Sequence, residues 1–264
     1  MLHFVESGNP DGKTIVYLHG SGMAAWSWND VTEQLPQYHN IAVDLPGHGL
    51  SNEIRANSLS DMAQIVADFI AETVPGGKAH VVGLSLGGIT TIEMMQHRPE
   101  VIKSAVMSGV NAMPLPFMMK MMVNVSKMVI KQDFFIRMNA KMFQLEGNAE
   151  KAYFESMKRL DMQTFNKLLP EILDYQPADN LRNVEIPALF VAGGAEDKIN
   201  VESVSILADA MPDAAGVLAP DVHHGWSGEN PVLFADMIQQ WIESKSLADG
   251  LDIKADKRRQ LEMA

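Results

Sequence analysis

The stretch Ala79-His80-Val81-Val82-Gly83-Leu84-Ser85-Leu86-Gly87-Gly88-Ile89-Thr90-Thr91-Ile92-Glu93-Met94-Met95 decides how this chain is read. Its first residues form an apolar run suited to a buried strand, and its last residues carry a helical pattern. Between them lies Gly83-Leu84-Ser85-Leu86-Gly87, a turn whose glycines let strand and helix pass close to one another. A serine at such a turn is held in a strained backbone conformation with its hydroxyl above the sheet edge. The Leu86 amide then opens the helix, and a helix N-terminus favours negative charge. The turn therefore sets a weak nucleophile beside a place for an oxyanion. The short pattern alone arises by chance, and an ordinary glycine-rich turn is the bland alternative. A serine nucleophile also requires a base, an acid that orients the base, and a second oxyanion donor.

The rest of the chain alternates in the same way. Leu2–Glu6 reads as a short strand, and Thr14-Ile15-Val16-Tyr17-Leu18 is apolar enough to lie inside a parallel sheet. It runs into His19-Gly20-Ser21-Gly22. A helix from about Ala25 to Leu35 stops near Pro36, and Ile41–Asp44 is the next strand. Ser60 is expected to cap a helix that carries Met62, Ile65, Val66, Phe69 and Ile70 on one face. Val101–Ser108, Ile186–Ala192 and Gly216–Leu218 read as further strands. Val201–Met211 and Pro231–Ser244 read as helices. This order predicts an α/β fold with a doubly wound, mostly parallel sheet.

Residues 112–180 break the alternation. Methionine and phenylalanine are frequent there, from Met113, Met118, Met119, Met121 and Met122 to Phe154, Met157, Met162 and Phe165. The spacing predicts an inserted helical lobe, with residues 1–111 and 181–264 forming the core. Methionine fills gaps in helical packing, or it forms an adaptable apolar roof over a pocket. The tail from Lys245 is charged and reads as a solvated helical extension or a partner contact.

Composition narrows the function. The 264 residues carry 21 Lys and Arg against 33 Asp and Glu, a formal net charge of −12. That charge disfavours nucleic acid and anionic membranes as partners and suits a small-molecule substrate. The chain has no cysteine, so disulfides, thiolate metal sites and cysteine nucleophiles are excluded. No histidine and carboxylate cluster has metal-ligand spacing, so neither a metal nor a cofactor is expected. The N-terminal residues lack a signal-peptide pattern, and a cytoplasmic location is expected. Oligomeric state is not encoded in any motif.

With these features in order, the chain resembles the α/β-hydrolase family, in the subgroup with a helical cap. The resemblance rests on His19-Gly20, on Asp44-Leu45-Pro46-Gly47-His48-Gly49-Leu50-Ser51 and on the turn at Ser85. It also rests on Gly193-Gly194-Ala195-Glu196-Asp197 and on His224 followed by Glu229-Asn230-Pro231. Members often carry a further strand ahead of the one at Leu2–Glu6. The expectation here is a sheet of about seven strands, parallel except near the N-terminus. The resemblance implies a triad of Ser85, Asp197 and His224 in the chain order Ser…Asp…His. Counting back from Pro231 selects His224 over His223. Glu196 is the local rival of Asp197, read as a solvated loop charge, with Asp174 and Asp179 as more distant alternatives. The backbone amides of Ser21 and Leu86 would form the oxyanion hole, with Gly22 the near alternative to Ser21. His19, His48 and Asp44 read as loop-fixing residues. Related dehalogenases and epoxide hydrolases use aspartate where this chain has Ser85, which argues against both reactions. The expected activity is hydrolysis of small to medium, largely apolar carboxylic esters through an acyl-enzyme. The alternatives are a carbon–carbon bond hydrolase, thioesterase, lactonase, perhydrolase or hydroxynitrile lyase, or a ligand-binding signalling protein on the same scaffold.

Overall fold

The computed structural model describes residues 1–177 and 179–256. The strands are β1 (Phe4–Gly8), β2 (Thr14–Leu18), β3 (His39–Val43), β4 (Ala79–Leu84), β5 (Ile102–Ser108), β6 (Ala188–Gly193), β7 (Ala214–Ala219) and β8 (Asp252–Asp256). They form one sheet in the order β1-β3-β2-β4-β5-β6-β7-β8. The six strands from β3 to β7 in that order pair in parallel, and β1 and β8 pair antiparallel at the two edges.

The helices are α1 (Asn29–Thr32), α2 (Leu59–Thr73), α3 (Leu86–His97), α4 (Phe117–Ser126), α5 (Asp133–Met142), α6 (Gly147–Arg159), α7 (Met162–Leu173), α8 (Lys198–Asp209), α9 (Trp226–Glu229) and α10 (Pro231–Ser244). Burial on both faces explains the apolar strands. In β2, Val16 and Leu18 join a core with residues of α2, α3 and α8. Ile15 and Tyr17, alternating with them, join a second core with Trp28, Phe234, Ile238 and Trp241. The period of two thus divides one strand between two helical layers.

Two expectations are corrected. The sheet has eight strands among the described residues, not seven, because β8 comes from the charged tail. Asp252-Ile253-Lys254-Ala255-Asp256 is an edge strand with three exposed and two half-buried residues, so it needs no apolar run. Residues 257–264 of that tail lie outside the described residues. Helix α2 is capped by Ser58, whose hydroxyl accepts the Asp61 amide at 3.0 Å, rather than by Ser60. The earlier serine wins because its extended backbone lets its side chain fold back onto the third helical amide.

Helices α4 to α7 are inserted between β5 and β6 and form a helical cap. Ile136, Ala140, Tyr153, Met157, Phe165, Leu169 and Leu173 make a third, smaller core there. Helix α4 has no buried residue. Among the described residues, no helix is long and apolar enough to cross a membrane.

Candidate active site

Ser85 sits between β4 and α3 with φ 53° and ψ −113°. A non-glycine residue in such a region costs on the order of 1–3 kcal/mol and persists only where its surroundings hold it. Here the Ser85 amide donates to the Ser108 carbonyl at 2.8 Å, tying the turn to the end of β5. The flanking glycines are required by close approach. A Cβ on Gly83 would lie 2.4 Å from the Gly87 carbonyl oxygen, and one on Gly87 would lie 2.0 Å from the Leu18 carbonyl oxygen. Leu86 begins α3, and the first amides of a helix have no intrahelical acceptor.

The second loop lies at the end of β2. The Met23 amide donates to the Gly20 carbonyl at 3.1 Å, closing a turn over Ser21 and Gly22, with Gly22 at φ +77°. A Cβ on Gly20 would stand 3.7 Å from the Ser85 Cβ, so this turn adjoins the serine. His19 shapes it. Its Nδ1–H donates to the Gly20 carbonyl at 2.8 Å, and its Nε2 accepts the Leu45 amide at 3.0 Å. Burial, opposed only by the bond to Gly20, lowers its pKa to about 4 and keeps the ring neutral. Asp44 accepts the Ala25 amide at 2.7 Å and the Leu50 amide at 2.8 Å, pinning two loops together. His48 is buried beside them, its Nδ1 3.0 Å from the Pro46 carbonyl, and burial lowers its pKa to about 3.

His224 follows β7. Its ring covers Gly109, where a Cβ would come within 2.5 Å of Cε1. Gly109 directly follows Ser108, the residue that holds Ser85. The imidazole and the serine therefore flank the same strand end. Trp226 ties the histidine loop to that point, its Nε1–H donating to the Ser108 hydroxyl at 2.9 Å.

The carboxylate on His224 is Glu196, with Oε2 2.6 Å from Nδ1. This corrects the expectation for Asp197. The Glu196 side chain is 1% exposed and also accepts the Gly193 amide at 2.7 Å and the Asn200 side-chain amide at 2.6 Å. Asp197 instead caps α8, accepting the Ile199 amide at 2.9 Å and the Asn200 amide at 3.1 Å. A signal for this was present in the sequence: an aspartate directly before an apolar helical pattern is an N-cap, which leaves the adjacent glutamate to turn inward. Burial alone would lower the pKa of His224. The Glu196 hydrogen bond and charge, with a further contribution from Asp197, outweigh it and raise the pKa above 6.5. His223 points elsewhere, with Nδ1 3.1 Å from Glu229. Asp174 pairs with Lys120 on the surface of the cap. The side chain of Asp179 lies outside the described residues.

The sequence profile described as "Alpha/beta hydrolase family" matches residues 15–237. The chain belongs to that family. As an α/β-hydrolase it is 27% identical to an "AB hydrolase superfamily protein" of Gibberella zeae, over 95% of this chain and 87% of that one. It is 36% identical to the "Pimeloyl-[acyl-carrier protein] methyl ester esterase" of Nitrosomonas europaea over 107 residues, 40% of each chain. Its fold matches that of a thermophilic esterase from Thermogutta terrifontis with a TM-score of 0.76 at 18% identity, covering 92% of this chain and 93% of that one.

In this hydrolase a cleft of about 270 Å³ opens between core and cap. Its walls include Leu84, next to Ser85, Gly225, next to His224, and Met23, at the end of the Gly20 turn. Trp26 lines it too and is fixed to the cap by its Nε1–H donating to the Ser156 hydroxyl at 2.9 Å. Trp28, two residues further on, is packed in the core between Tyr17 and Phe234.

Proposed function

We propose that this α/β-hydrolase cleaves carboxylic esters through an acyl-enzyme on Ser85. The observation that carries the reading is the convergence at the end of β5. Ser85 is bonded to Ser108, and the ring of a Glu196-held His224 lies on Gly109. Glu196 bonds to Nδ1, which leaves Nε2 as the basic nitrogen. His224 takes the Ser85 proton as the hydroxyl attacks the ester carbonyl. The carbonyl oxygen becomes an oxyanion, received by the backbone amides of Leu86 and Ser21. Collapse breaks the C–O bond, and the imidazolium returns its proton to the departing alcohol. Water, deprotonated by His224, then attacks the acyl-enzyme, releases the acid and restores Ser85. Asp197 adds charge near the imidazolium while holding the start of α8.

The cleft wall offers Met23, Trp26, Leu84 and Leu145 to the substrate, which favours apolar groups of modest size. A fluorophosphonate probe is expected to label Ser85. Short-chain nitrophenyl esters are expected to turn over in the wild type and not in Ser85→Ala. Equal turnover in that variant refutes the proposal. Labelling of Ser85 without ester turnover assigns the site to another acyl-transfer or bond-cleaving reaction.

A further inference from the structure

The cleft lined by Leu84 and Gly225, the chain neighbours of Ser85 and His224, has a sign as well as a shape. Among its described lining residues Asp30 is the one charged side chain, accompanied by the neutral polar groups of Ser27, Asn29 and Asn148. None of these described residues is a lysine, arginine or histidine. Among the described residues Asp30 takes part in no ion pair or side-chain hydrogen bond. Its charge is therefore not cancelled by a cation among the described residues. Asp30 lies in the first turn of α1, where a negative charge complements the helix dipole. That role explains why an acid is tolerated there, but not why the described lining includes no cation.

A carboxylate-bearing substrate needs the opposite lining. Carboxylates are bound by arginine forks or by lysine, and an unpaired aspartate in the same cleft repels them. We infer that Asp30 is a specificity-determining residue that selects esters with neutral or cationic substituents over esters bearing a second carboxylate. The inference rests on the ester-hydrolase reading and deepens it. Asp30 is exposed, so water and salt moderate its effect. The expected discrimination is of the order of tenfold at low ionic strength, well short of exclusion.

The test compares 4-nitrophenyl hexanoate with mono-4-nitrophenyl adipate, which has the same chain length but ends in a carboxylate. Rates are corrected for spontaneous hydrolysis, and the readout is the ratio of the two kcat/KM values. Wild type is expected to prefer the hexanoate about tenfold in low salt, and the ratio is expected to shrink as salt is raised. Asp30→Asn is expected to narrow it several-fold, and Asp30→Lys to narrow it further. Should changes at position 30 disturb α1, Asn29→Lys retains Asp30, adds a cation to the cleft and is expected to narrow the same ratio. A wild type that takes both esters equally overturns the inference, as does a ratio that neither salt nor these variants move. If neither ester turns over and the probe leaves Ser85 unlabelled, ester hydrolysis fails and this selectivity fails with it.

Discussion

The methionines of the sheet core and four of those in the cap are the same residue put to opposite uses. Met62, Met94, Met95 and Met107 are at most 1% exposed, packed between the sheet and its helices. In the cap, Met118, Met122, Met128 and Met142 are more than 60% exposed. The core uses methionine as flexible filling around a rigid frame. Helix α4 uses none of its residues that way, since it buries nothing. The contrast separates two duties. The core fixes the proposed reacting groups by backbone geometry, whereas the cap supplies a wall to the cleft through Leu145, Asn148, Ala149 and Ala152.

Substitutions at the core site should produce the largest effects. Ser85→Ala is expected to lower ester turnover by about 10⁴–10⁶-fold, by analogy with other serine triads. Thermal unfolding should change little, because the Ser85 hydroxyl makes no hydrogen bond among the described residues. A variant that keeps a tenth of the activity would place the nucleophile elsewhere. Glu196→Gln should come next, at about 10²–10⁴-fold, because the amide no longer fixes and charges the imidazole. Asp197→Asn is the sharper comparison. It should cost only a few-fold in rate, because asparagine caps a helix about as well as aspartate does. If Asp197→Asn proves the more damaging of the two, the assignment of Glu196 is wrong.

Stability separates the two regions directly. Met94→Ala removes a fully buried side chain of α3 and should destabilise by about 2–5 kcal/mol in urea unfolding. Met122→Ala, on the exposed face of α4, should lie within about 0.5 kcal/mol of wild type. Comparable losses at the two positions would mean that α4 is covered in solution.

What could be read from the sequence follows the same division. The turn at Ser85 was legible because only glycine fits where a Cβ would strike backbone at 2.0–2.4 Å. Strand β2 was legible because burial on both faces leaves a continuous apolar run. Strand β8 was not, since an edge strand half in water carries no such pattern. The choice between Glu196 and Asp197 was harder to read for a different reason. Two adjacent acids on one loop point in opposite directions, and the helix that claims Asp197 has to be weighed before the histidine can claim Glu196. Asp30 carries no motif at all, because its place beside Gly225 and Asn148 depends on how the cap sits on the core.

The smallest effect, and the most diagnostic of the Glu196–His224 pair, is in pH dependence. The folded protein raises the His224 pKa above 6.5, so it binds a proton there more tightly than the unfolded chain does. That contribution to stability is fully present below about pH 6.5 and is lost as pH rises through the folded value. Activity runs the other way. The base must be unprotonated, so kcat/KM should climb through the raised pKa, with its acidic limb above 6.5. Glu196→Gln removes both the hydrogen-bonded anion and its charge, so the residual activity should show an acidic limb shifted to lower pH. Asp197→Asn removes only the weaker charge contribution and should shift the limb less. The side chain of His224 is 36% exposed, so solvent limits both displacements and they are best read as an order of variants. A limb that stays fixed in Glu196→Gln but moves in Asp197→Asn would transfer the orienting role to the acid that here caps α8.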